Sequence, residues 1–132
     1  DFLVAQRSNL DLQFLMHTGD IVNDWDQPAQ WQRADAAYRD LDEARIPYSV
    51  LAGNHDVGHH RNDYGAYGRW FGEQRFAGNP WFGGSLQDNR GSYSLVSADG
   101  IDLMAGPYVV GERGKSTSSR SGWTTGTANT RS

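Results

Sequence analysis

The sequence predicts an α/β protein, and three observations carry that prediction. Two short apolar runs, Leu10–Met16 and Tyr48–Ala52, are each followed by a polar glycine turn, Gly19-Asp20 and Gly53-Asn54-His55-Asp56. Residues 27–45 between them repeat apolar side chains at helical spacing. Strand, turn, helix, strand and turn make one βαβ unit, whose crossover is long enough for parallel, right-handed pairing.

The elements follow in order. Leu10–Met16 is short, apolar and followed by Gly19, as expected of a buried strand meeting a tight turn. In 27–45, Pro28 suits a first helical turn, and Trp31, Ala34, Tyr38, Leu41 and Ala44 recur every three or four residues. Asn23 and Asp24 serve as well to cap this segment as to touch a ligand. Pro47 ends the pattern, and Tyr48–Ala52 forms the second strand, closed by Gly53. Tyr64, Tyr67, Trp70 and Phe71 fit one helical stripe that is expected to pack, whereas Phe76, Trp81 and Phe82 fall among Gly78, Pro80, Gly83 and Gly84 and read as loop. Ser92–Val96 alternates as a strand, Ala98-Asp99-Gly100 turns, and Ile101–Met104 returns.

Composition narrows the function classes. The 132 residues carry 12 basic and 16 acidic side chains, a net charge of −4 that argues against an obligate nucleic-acid partner. No apolar run is long enough for a membrane span. The absence of cysteine excludes disulfides, thiol nucleophiles and cysteine-based metal sites. The charge is uneven: residues 1–110 hold eight bases and fifteen acids, whereas 111–132 hold four bases and one acid. The sequence therefore divides into 1–110, a folded piece, and 111–132, a low-complexity tail with ten Ser or Thr that is expected to be disordered.

In open α/β sheets, ligands bind at the carboxyl ends of the strands, where both polar turns fall. Asp20 and Asn54, 34 positions apart, offer hard oxygen donors suited to Mn, Fe or Zn. A carboxylate can also bridge two cations. His55 is placed to protonate a leaving oxygen or to stabilise phosphoryl charge, and Asp56 to orient that imidazole. His17 is expected to pack beside its strand. His59 and His60, adjacent in the chain, are expected in solvated loop, with at most one of them facing a site.

The run Gly19-Asp20-Ile21-Val22-Asn23-Asp24 followed by Gly53-Asn54-His55-Asp56 resembles the calcineurin-like metallophosphoesterase superfamily. Asn62-Asp63-Tyr64 through Trp81-Phe82-Gly83, then Ser92-Tyr93-Ser94, is similar to the insert of bacterial, often exported, members. The resemblance covers residues 1–104. It implies an αββα sandwich, here incomplete, and hydrolysis of phosphate mono- or diesters by attack of a metal-bound hydroxide at two divalent metals. By motif position Asp20 is the bridging carboxylate, Asn54 a ligand to one metal, His55 the leaving-group or transition-state histidine and Asp56 its partner. The partner implied is a small phosphate ester, and the exported look of those relatives implies export.

Two family motifs have no counterpart: no Asp-x-His precedes Asp20, and no histidine follows His60. The ligand set is therefore expected to be incomplete, the second sheet missing and activity weak or absent. The composition break suggests a frameshift soon after Met104. The alternatives are a non-catalytic binding module that uses the aromatic segment 64–82, and an inert truncated product.

Overall fold

A computed structural model describes residues 2–98 and 101–105. The order is α1 (Phe2–Gln6), β1 (Leu15–His17), α2 (Pro28–Glu43), β2 (Tyr48–Val50), a 3-10 turn (His59–Arg61), α3 (Gly65–Phe71), α4 (Glu73–Phe76), β3 (Phe82–Leu86), β4 (Gly91–Ala98) and β5 (Ile101–Ala105). β1 and β2 pair in parallel, with Leu15 opposite Tyr48 and His17 opposite Val50. This is the expected βαβ unit, with α2 as its crossover. The tail 111–132 and the proposed frameshift lie outside the described residues.

Three expectations are corrected. The first strand is three residues long rather than seven. Upstream of it, Asp11 adopts a left-handed φ of 47° while Leu10 N–H and Leu12 N–H bond back to Gln6 and Arg7, so this stretch ends a helix and Leu10 stays exposed. Second, a further sheet is present: β3, β4 and β5 form an antiparallel meander, with Ala98 opposite Ile101 across the expected hairpin. Third, Phe76 and Phe82 are not loop; they belong to α4 and β3. Gly83 and Gly84 weaken the strand signal of β3, but the Tyr93 ring lies across them, and a Cβ on Gly83 would come within 2.1 Å of that ring.

α2 starts at Pro28 without a side-chain cap and buries Trp31 and Leu41. These meet β2, all three of whose residues are buried. The aromatic stripe of α3 and α4 completes the same cluster: Phe71 lies 5.0 Å edge-on from Tyr38, and Phe76 lies 5.4 Å from Tyr48. Tyr67 is fully buried, and its hydroxyl bonds the Val50 and Asn89 carbonyls, joining β2 to the β3–β4 turn. Most of the aromatic segment is therefore core rather than the open stacking platform that the binding-module alternative requires. Arg75 locks the same region from α4, reaching Asp35 at 2.6 Å, Asp42 at 2.7 Å and the Tyr48 hydroxyl at 2.7 Å. Among the described residues no helix is long and apolar enough to cross a membrane.

Candidate active site

Both polar turns leave the carboxyl ends of β1 and β2 and fold against each other. Gly19 (φ 105°) and Asp20 (φ 55°) take the left-handed conformation, which brings Asp20 over the second turn. The fit leaves no room for a side chain at residue 53, where a Cβ would stand 2.1 Å from Asp20 Oδ1. Asp20 Oδ1 accepts the His55 backbone N–H at 3.1 Å. Asn54 Nδ2 donates to His59 Nδ1 at 3.1 Å, which keeps the amide oxygen, the hard donor, off that ring.

His55 is held by a partner that sequence reasoning did not supply. Its Nδ1 lies 2.8 Å from the Asn23 carbonyl oxygen, which can only accept, so Nδ1 carries the proton. The orienting role expected of Asp56 is thus filled by the backbone of the first turn. The Asp56 carboxylate points inward instead, is fully buried, and accepts Val22 N–H at 2.9 Å and Gly53 N–H at 2.7 Å. One side chain thereby staples the two turns together and sets the spacing of Asp20 and Asn54.

His59 stands at the site rather than in detached loop: its ring is 4.4 Å from that of His55, and its N–H bonds the Asn54 carbonyl. The expectation of alternating sides assumed an extended chain. Gly58, His59 and Asn62 are left-handed, and the resulting turn carries His59 back onto His55 while His60 stays exposed. His17 packs as expected, edge-on to Tyr38 at 6.0 Å. Asn23 and Asp24 direct their backbone N–H groups to the Gln30 side chain of α2. Hydrogen bonds from Asn23 and Gln30 hold the Asp24 carboxyl below its ordinary range.

The parallel βαβ unit thus brings Asp20, Asn54 and His55 together at the carboxyl ends of its strands, where α/β proteins bind their ligands. The chain belongs to the calcineurin-like phosphoesterase family, whose model matches residues 2–122. It is 44% identical over 104 residues to a Bacillus subtilis protein named "Uncharacterized protein YvnB", a stretch that is 79% of this chain and 8% of that relative. It is 43% identical over 58 residues to a Moraxella catarrhalis protein named "Probable cyclic nucleotide phosphodiesterase", 44% of this chain and 19% of that relative. The chain thus spans a small part of the curated relatives it matches. No solved structure matches it.

The family normally binds two divalent metals. Asp20 and Asn54 suit such cations as hard oxygen donors. Among the described residues, however, no group of three or more His, Asp or Glu comes together as a metal cage. These residues fit part of a metal shell and do not close one.

Proposed function

We propose that this chain carries the phosphate-ester site of a metal-dependent phosphoesterase and contributes part of its metal shell. The observation that supports the reading is the meeting of Asp20, Asn54 and His55 at the ends of β1 and β2, tied by the Asp20–His55 contact. When bound, divalent cations supply the Lewis acidity that makes water nucleophilic near neutral pH. Asp20 would hold them through its carboxylate and Asn54 through its amide oxygen. With Nδ1 donating to the Asn23 carbonyl, Nε2 is the nitrogen left for the substrate, and as an imidazolium His55 would give its Nε2 proton to the leaving oxygen and keep the one on Nδ1. The similarity to a protein named as a phosphodiesterase favours a diester over a monoester.

The test compares hydrolysis of bis-(p-nitrophenyl) phosphate and p-nitrophenyl phosphate with added Mn²⁺ by the wild type, Asp20→Ala and His55→Ala. The expected result is a Mn²⁺-dependent rate, faster on the diester, that falls roughly a hundredfold or more in either variant. Equal rates in wild type and Asp20→Ala, with no Mn²⁺ retained on the wild type by elemental analysis, overturn the reading for this chain.

A further inference from the structure

A cavity of about 320 Å³ opens beside the site, between the start of α2 and the outer side of α3. Its walls include the partly exposed indoles of Trp25 and Trp70, and its polar lining includes Asp26, Asp63 and Arg69. It is joined to the site through Trp25, whose ring packs against Gly58, the residue before His59, so closely that a Cβ there would lie 2.8 Å from the indole.

The polar groups of this cavity are not spent on one another. Arg69 makes no hydrogen bond or ion pair among the described residues, although two carboxylates line the same space. Asp63 uses one oxygen to accept Gly65 N–H at 2.9 Å, and Asp26 has only a 3.4 Å contact with Gln27. Asp26 and Asp63 are balanced by Arg69 in the lining and by Arg61, which lies over the Trp25 ring at 5.8 Å, so the surroundings offer no net charge to attract an anion or a cation. A neutral ligand remains. It should have apolar faces for the indoles, donors for the carboxylates and acceptors for the guanidinium. A sugar ring has all three, its C–H faces stacking on indole and its hydroxyls both donating and accepting.

We infer that the Trp25–Trp70 cavity is a binding site for a neutral sugar ring, either free or as the sugar part of a phosphate ester. The sugar site stands without the phosphoesterase reading, because its test reads binding and not hydrolysis. Tryptophan fluorescence and ligand-observed NMR are followed during titration of the full chain, without metal, with methyl α-D-glucopyranoside, methyl β-D-ribofuranoside, glucose 1-phosphate and adenine. At least one glycoside is expected to bind saturably, and Trp70→Ala and Asp26→Asn each to weaken it about tenfold. A glycoside and glucose 1-phosphate binding alike identify a free sugar as the ligand, whereas tighter binding of the phosphate identifies the sugar of an ester. Saturable binding of adenine alone, no saturation by any sugar, or unchanged affinity in both variants overturns the proposal. Asp26 is exposed, so Asp26→Asn decides the matter even where Trp70→Ala fails to fold.

Discussion

The two sheets among the described residues are built to opposite tolerances. β2 is buried along its whole length, with Tyr48 meeting both Tyr38 of α2 and Phe76 of α4, and the polar turn after it is tied down by the Asp56 carboxylate. β4 alternates: Ser92 and Ser94 face inward while Leu95 is 56% exposed, and across from it on β5 Met104 is 73% exposed. A strand packed on both faces leaves its ends little freedom, which is what a site built from turns requires. A strand packed on one face supports the core without fixing anything at its ends. Every side chain placed at the candidate site leaves the first sheet, and none leaves the second. The substitutions below should separate these two regimes.

The largest effect is expected at Asp56. Asp56→Ala removes the acceptor shared by Val22 N–H and Gly53 N–H, the first of them buried and the second partly so. Two charge-assisted bonds, one buried and one partly buried, cost about 4 kcal/mol when lost, read as a fall in the urea midpoint at unchanged slope. The two turns would also part, so Mn²⁺-dependent hydrolysis should fall with stability. An Asp56→Ala variant as stable as wild type would show that the turns hold their spacing by other means.

Next comes Gly53→Ala, expected to cost about 2–3 kcal/mol because its Cβ meets the Asp20 backbone and carboxylate. Gly78→Ala is the control, since nothing lies within 4 Å of a Cβ there. Equal costs for the two alanines would show that the close approach of Asp20 to residue 53 does not constrain the turn.

The parts of this site that could be read from the sequence are those that depend on chain order. Two glycine-closed apolar runs around an amphipathic helix can hardly pair otherwise than as β1–α2–β2, and the turns then fall at the strand ends. The parts that could not be read depend on where a side chain points once a turn closes. His55 and Asp56 are neighbours in sequence, which suggested contact; the turn sends one outward to the Asn23 carbonyl and the other into the core. An extended chain would turn one of His59 and His60 away from the site, but left-handed residues at 58, 59 and 62 bring His59 back to it. Glycine had a double meaning as well: at 53 it marked a close approach, whereas at 83 and 84 it hid a strand that makes room for Tyr93.

A third substitution tests the packing behind β2. Arg75 is nearly buried, and its partners Asp35 and Asp42 are 15% and 33% exposed. Arg75→Met should cost about 2 kcal/mol near neutral pH, because it strands a partly buried carboxylate. Burial pushes the Asp35 carboxyl up, but hydrogen bonds from Arg75 and Arg39 outweigh it and hold the group below its ordinary range. A folded-state value below the unfolded one contributes stability that is present above about pH 4 and is lost as pH falls through the folded value. Between pH 5 and 2 the wild type should therefore lose more stability than Arg75→Met. Parallel curves for the two proteins would place the acid sensitivity elsewhere.

The smallest effect is expected on the outer face of the second sheet. Leu95 and Met104 lie directly opposite each other on β4 and β5, more than half exposed, so Leu95→Thr and Met104→Thr remove little buried apolar area. Each should change stability by no more than about 0.5 kcal/mol, and threonine suits a strand position. Because an open apolar pair on a sheet face favours self-association, the double variant should stay monomeric to higher concentration in sedimentation experiments. A loss of several kcal/mol from either threonine would mean that this face is packed as tightly as β2, and the contrast between the two sheets would fail.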